Sequence, residues 1–289
     1  MMPLNGKTAL ITGSTDGVGR VVASRLAEAG AHVLIHGRDQ PRGERVVAAI
    51  KAAGGTAEFL AADFASLADV RRLADSVRQT ETRLDILVNN AGIGTAGSSR
   101  LTSVDGHELR FAVNYLAGLL LTTLLLPLIR QNTPARIVNV SSAGQQAIDS
   151  DDVMLTRGFS GSRAYCQSKL AQIMFTIDLA RELANSGVIV NALHPATYMD
   201  TSMVRRAGVT PISTVEEGAD AIWQLAVSPA VAGCTGRYFS GLNEARANAQ
   251  AYDEVHARNF GRSVFARPGW PMLQADQPGF SASSSKGAV

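Results

Sequence analysis

Short apolar runs alternate along the chain with longer stretches whose apolar residues recur every three or four positions. Thr8–Ile11, Val33–Ile35, Glu58–Ala61, Ile86–Val88, Ile137–Val140, Val188–Leu193 and Gly236–Phe239 have the length and apolar character of buried strands. Between them, Arg20–Ala29, Gly43–Ala53, Leu67–Arg78, Glu108–Ile129, Ala164–Asn185 and Val215–Leu225 carry the helical period, the first closed by Gly30 and the second by Gly54. Such alternation of strand and helix builds βαβ units, which cover both faces of a parallel sheet with helices. The pattern predicts a single α/β domain over residues 1–245, doubly wound around a seven-stranded parallel sheet. Beyond it the pattern fades. The end from Gly269 is rich in Pro, Gly and Ser, so 246–289 is expected to be a C-terminal extension, loosely packed or disordered at its end.

One stretch stands out. Leu116 to Ile129 carries no charge, yet its 14 residues fall short of the roughly 18–20 that cross a bilayer, and Pro127 lies near its end. It is expected to be a buried or subunit-facing helix, with no membrane partner. Its leucines Leu119, Leu120, Leu121, Leu124, Leu125 and Leu126 point round more than one face, which predicts a homodimer or homotetramer. Composition agrees with a globular chain: of 289 residues, 46% are apolar and 18% charged. A net charge of +2 from scattered basic residues excludes an electrostatic footprint for nucleic acid. Cys166 and Cys234 make no disulfide framework and suit a reducing, cytoplasmic compartment. No leader is expected, because the N-terminus lacks a basic segment followed by a long apolar one.

The first chemical signal is Thr12-Gly13-Ser14-Thr15-Asp16-Gly17-Val18-Gly19, between the first strand and the first helix. Glycines there let the backbone turn sharply and approach a pyrophosphate, which the free N–H groups of the helix N-terminus then bind. The spacing G-x-x-x-G-x-G resembles the opening of the short-chain dehydrogenase/reductase family. The resemblance continues in order through Asp63-Phe64, Asn89-Asn90-Ala91-Gly92, Asn114, Val140-Ser141-Ser142, Tyr165-Cys166-Gln167-Ser168-Lys169 and Asn191-Ala192-Leu193-His194-Pro195, covering about residues 5–240. It implies a Rossmann fold that binds a nicotinamide dinucleotide. Gly13 to Gly19, Asp63, Phe64, Asn90, Ala91 and Gly92 would lie along that cofactor, with Pro195, Thr197 and Tyr198 at its nicotinamide end.

Tyr165 and Lys169 are four apart on a predicted helix and so share a face. A phenol titrates near pH ~10, and a neighbouring ammonium favours its phenolate, which makes the pair a proton carrier. The resemblance gives Ser142, rather than Ser141, the task of orienting the substrate oxygen, and Asn114 that of holding a water linked to Lys169. Tyr165 and Lys169 also belong to the implied cofactor set. His194 and Cys166 are expected to be structural, the thiol pointing away from the site. No metal ion enters this reading.

The second strand ends Leu34-Ile35-His36-Gly37-Arg38. The acid that holds an NAD ribose is missing at His36, and Arg38 can pair with a 2′-phosphate, so NADP(H) is expected before NAD(H). Ser142 and Tyr165 are 23 positions apart, farther than in many family members. A similar insertion occurs in the retinol-dehydrogenase-like branch, which Ala164 to Ala171 and His194-Pro195 also resemble. Ala196 replaces the family's usual glycine after the proline, and Thr201 stands one place later than its usual threonine. The implied activity is hydride transfer between NADP(H) and a small carbonyl or alcohol. The alternative is a nucleotide-binding sensor or scaffold without turnover, against which the complete Asn-Ser-Tyr-Lys set argues.

Overall fold

The computed structural model describes residues 3–97 and 99–253. Its elements run β1 (Thr8–Ile11), α1 (Gly17–Glu28), β2 (His32–Gly37), α2 (Gln40–Ala52), β3 (Thr56–Ala61), α3 (Leu67–Thr80), β4 (Ile86–Asn89), α4 (Leu109–Phe111), α5 (Ala117–Gln131), β5 (Ala135–Val140), α6 (Gly161–Glu182), β6 (Val188–His194), α7 (Ser202–Arg206), α8 (Val215–Val227), β7 (Tyr238–Ser240) and β8 (Asn243–Ala245). The sheet order is β3-β2-β1-β4-β5-β6-β7-β8. The expected seven strands are parallel, and an eighth is added: β8 folds back antiparallel on β7. It escaped the sequence pattern because Asn-Glu-Ala is short and has no apolar alternation.

Each sheet face has its own core. Val22, Leu26, Val46, Ile50, Ile222 and Leu225, from α1, α2 and α8, fill one. The other is filled by Val70, Leu73, Leu116, Leu120, Leu170 and Ile173, from α3, the 109–131 helix and α6. That helix keeps within two residues of the predicted bounds and is interrupted by a π-helical turn at Ala112–Leu116, which joins α4 to α5. By length and composition 109–131 could cross a membrane, but 72% of its most apolar window is buried inside the molecule. Leu119, Leu120, Leu121, Leu125 and Leu126, expected to face outward in part, are buried within the one chain. The outer stripe of α5 is Thr123, Leu124, Pro127 and Leu128.

The insertion after Ser142 is a packed structure. Ile148, Val153 and Leu155 are buried. Asp152 accepts from the backbone N–H groups of Thr156 and Arg157, both at 2.8 Å. Gln250 accepts from Ile148 N at 2.6 Å and donates to Ile148 O at 3.1 Å, pinning the insertion to a 3-10 turn at Ala249–Tyr252. Residues 254–289, most of the predicted extension, lie outside the described part.

Candidate active site

The chemistry-bearing residues collect at the carboxyl ends of the strands, where β1 and β4 lie side by side and their crossovers leave in opposite directions. In a doubly wound sheet this switch point is where a ligand binds. The turn after β1 is tight. Gly13 has φ 65°, and a Cβ on it would lie 2.8 Å from Ala91 Cα; one on Gly19 would lie 2.6 Å from the Gly13 oxygen. Thr12, which opens the glycine motif, ties the turn to the end of β4 by accepting from Asn90 N and Ala91 N at 2.9 Å each. Asn90 donates its side-chain amide to Thr12 O and Gly13 O, at 2.8 and 3.1 Å. It shapes the turn from beneath.

The other loop side chains have separate tasks. Ser14 Oγ donates to Ile11 O and accepts from His36 N, and Val18 is buried in the core. Asp16 caps α1 and accepts from Gly17 N and from Ser202 Oγ, both at 2.8 Å. Burial alone would raise its pKa; these hydrogen bonds and the Arg42 charge outweigh it and hold the carboxylate below its ordinary value. Thr15 lies against the end of β2, where a Cβ on Gly37 would come within 2.6 Å of Thr15 Cγ2.

That contact corrects one expectation. His36 does not stand where a ribose-holding acid would. It is 2% exposed, stacks on Phe64 at 4.4 Å and accepts from Gly13 N through Nδ1 at 3.1 Å. Alternate residues of a strand face opposite ways, so Gly37 is the position beside the loop, and it too lacks an acid. Burial drives the His36 pKa down to about 4, which keeps the ring neutral as an acceptor must be. Arg38 is 65% exposed, with Asp63 at 3.8 Å as a loose partner.

Three elements supply the four residues of the catalytic set. Ser142 follows β5, Tyr165 and Lys169 come from α6, and Asn114 sits in the π-helical turn. A π-turn widens the helix locally and is a common device at functional sites. Its effect here is to let Asn114 hold Ile93 at both backbone groups, accepting from N at 2.8 Å and donating to O at 3.1 Å. Asn114 also donates to Ser168 Oγ at 2.9 Å. The geometry separates the two serines. Ser141 Oγ donates to Lys169 O at 2.7 Å and is buried, whereas Ser142 is hydrogen-bonded to the Tyr165 phenol. Burial pushes that phenol up from its usual pKa, and the Ser142 bond pulls the other way. Lys169 Nζ lies 5.8 Å from the centre of the Tyr165 ring. A Cβ on Gly92 would sit 3.2 Å from Asn114 Oδ1 and 3.5 Å from Lys169 Nζ, so glycine keeps that space open.

Cys166 does not point away from the site as expected. The point where Gly144 would carry a Cβ is 3.4 Å from Cys166 Sγ, 3.5 Å from Ser142 Oγ and 3.7 Å from Tyr165 Cε1. The chain after Ser142 wraps round the helix and brings the thiol to the same small space. Tyr238 and Gln145 were also missed. Both donate to Ser142 O, at 3.0 and 2.9 Å, and fix the serine from behind. Neither belongs to a motif, and only the packing of β7 on β6 brings Tyr238 there.

After β6, Pro195 is buried while Thr197 and Tyr198 are exposed, Tyr198 with φ 46°. Thr197 Oγ1 is 3.0 Å from His194 Nε2, and burial lowers the pKa of that histidine. The chain then crosses the crevice. Thr201 and Ser202 reach Gly17 and Asp16 on one side, and Met203 comes against Gly94 on the other. A cavity of about 560 Å³ opens behind this crossing, between α1 and α8; its lining shares Asp16 and Gly17 with the glycine loop and includes neither Ser142 nor Tyr165.

A glycine turn facing a Ser-Tyr-Lys group, its lysine buried and its serine and tyrosine half-buried, across the switch point defines a nicotinamide-dependent oxidoreductase that transfers hydride. Residues 7–210 match the family model of the short chain dehydrogenases, and the chain belongs to that family. Within it the chain is retinol-dehydrogenase-like. It is 37% identical over 277 residues to retinol dehydrogenase 13 of Homo sapiens, a match covering 88% of this chain and 82% of that protein. It is 37% identical over 285 residues to retinol dehydrogenase 14 of Homo sapiens, covering 88% and 84%. Among solved structures, an uncharacterised protein from Mycobacterium paratuberculosis superposes with a TM-score of 0.74 at 30% identity, over 90% of this chain and 92% of that one. A short chain dehydrogenase from Burkholderia cenocepacia, solved in complex with NADP, gives 0.68 at 30% identity, over 82% and 96%.

Proposed function

We propose that the protein interconverts a lipophilic carbonyl compound and its alcohol with NADP(H), using Tyr165 as general acid and base. The observation that carries this reading is the meeting of Ser142, Tyr165, Lys169 and Asn114, from three elements, beside the glycine turn. The residues present fit the cofactor. The turn keeps side chains out of the path of a pyrophosphate at the N-terminus of α1, and Arg38, exposed and loosely paired, is free to take a 2′-phosphate. The nicotinamide, when bound, supplies or accepts the hydride. The chain does the rest. Ser142 hydrogen-bonds the substrate oxygen, and the Tyr165 phenol, protonated by virtue of its burial, delivers a proton to that oxygen in the reducing direction. Lys169 lowers the cost of the phenolate that remains. The names of the retinol dehydrogenase relatives support a lipophilic substrate. Burial of the 109–131 helix supports its being a core helix of the fold rather than a membrane span.

Loss of NADPH absorbance on a panel of aldehydes, ketones, quinones and retinoids tests the activity. Tyr165→Phe removes only the exchangeable proton. It is expected to lower kcat by about 10²- to 10⁴-fold while NADPH still binds with wild-type affinity. A variant that turns over at the wild-type rate overturns the assignment.

A further inference from the structure

Lys169 is held by neutral oxygens. Its ammonium donates to the Val140 carbonyl at 2.9 Å and to Gln172 Oε1 at 3.0 Å, and both side chains are 4% exposed. Gln172 lies one turn further along α6. Its amide must present oxygen here, because an ammonium only donates. A buried polar chain runs beside both acceptors. Thr176 Oγ1 donates to Gln172 O and accepts from Asn139 Nδ2, each at 2.8 Å. Asn139 precedes Val140 on β5, and Asn89 Nδ2 on β4 reaches Asn139 Oδ1 and Thr122 Oγ1 on α5, again at 2.8 Å. Polar groups threaded through a core displace apolar packing, and breaking one link strands the others away from water. The groups round Nζ are Tyr165 on its own helix, the Val140 carbonyl from β5, and Gly92 and Asn114 from the β4 side. Tyr165 is the titratable one among them.

We propose that Gln172 is a positioning residue for Lys169, holding its ammonium charged and aimed along the Tyr165 face of α6 through Oε1. This rests on the proposed roles of Lys169 and Tyr165. An amide is the chemistry the site requires. A carboxylate at 172 would pair with Lys169 and cancel the charge that stabilises the Tyr165 phenolate. An apolar residue would leave one carbonyl to hold a proton that burial already loosens, Lys169 being lowered to about 7. Glutamine accepts the hydrogen bond and leaves the charge in force.

The chain contains four lysines, Lys7, Lys51, Lys169 and Lys286, so ¹³C-lysine labelling gives few Cε resonances, with Lys169 assigned by its loss in Lys169→Arg. In the full-length protein, Gln172→Leu is expected to lower the Lys169 titration midpoint and Gln172→Glu to raise it, each by about one pH unit. Both variants should move the acid limb of the kcat/KM profile for alcohol oxidation to higher pH, since both weaken the charge beside Tyr165. Opposite shifts at the lysine with like shifts at the limb are a signature that loosened packing does not give. Gln172→Glu is isosteric and serves alone if the leucine variant fails to fold. A Lys169 midpoint unmoved by Gln172→Glu overturns the proposal. If the midpoint moves as expected but the wild-type protein transfers no hydride with any carbonyl or alcohol, the positioning role stands and the catalytic reading falls.

Discussion

His36 is a side chain whose burial has a measurable consequence. Its pKa falls from 6.5 to about 4 because its ring is sealed beneath the glycine turn. A group with a depressed folded pKa stabilises the native state fully above its unfolded value and loses that contribution as the pH drops through the folded one. The unfolding free energy is therefore expected to decline between pH 6.5 and 4 by about 3 kcal/mol more than in His36→Asn, which keeps an acceptor near Nδ1 and does not titrate. Parallel urea-denaturation series across that range measure the difference, and coincident curves would refute it. Arg38 is the residue proposed to set the cofactor preference. Arg38→Ala should raise the KM for NADPH roughly tenfold or more and leave that for NADH near its wild-type value. Equal effects on both cofactors would remove Arg38 from phosphate recognition. The missing acid was visible in the sequence, but not which residue fills its place, because strand facing depends on one-residue register that only the pairing of β2 with β1 settles.

At the scale of elements, the long periodic segments were readable and the short ones were not. The helices 67–80 and 215–227 follow their apolar stripes to within a turn of the expected ends. α7 and β8, five and three residues, carry too few positions to show a period. The Leu-rich helix was placed correctly, yet its leucines misled: pattern cannot tell a face that meets α3 and α6 of its own chain from one that meets a partner. What remains outside is Thr123, Leu124, Pro127 and Leu128, with Phe175 of α6 half-buried in the same layer. Self-association through that stripe predicts a mass of twice or four times the 30.4 kDa chain in light scattering at micromolar concentration. Replacing Leu124 and Leu128 together by lysine should return it to one chain. A wild-type protein of single-chain mass at every concentration would show that the stripe has no self-partner.

Across the whole molecule, the sequence motifs converge on the candidate site because the glycine turn, Asp63, Asn90, Ser142 and Pro195 end or follow strands, whose carboxyl ends a parallel sheet gathers on one side, while α6 and the π-turn bring Tyr165, Lys169 and Asn114 to the same place. They could not show the supports behind it. Tyr238 and Thr12 act by reaching across elements far apart in the chain, which no spacing rule encodes, while Gln145 and Gln172 stand three residues from the groups they hold and belong to no motif. The strap from Thr201 to Met203 is another such contact, crossing the crevice from the cap of α1 to Gly94. Its consequence is kinetic. On the proposed activity, a dinucleotide seated beneath the strap is expected to depart only once the Ser202–Asp16 bond breaks, so release of the oxidised cofactor, rather than the bond-making step, is predicted to set the turnover rate of carbonyl reduction. Deuterium at the transferred position of NADPH should then slow kcat/KM for the carbonyl and barely change kcat. In Ser202→Ala the strap opens sooner, kcat rises, and the isotope effect emerges in kcat itself. A full isotope effect on the wild-type kcat would mean that the strap lifts freely and that chemistry keeps the clock.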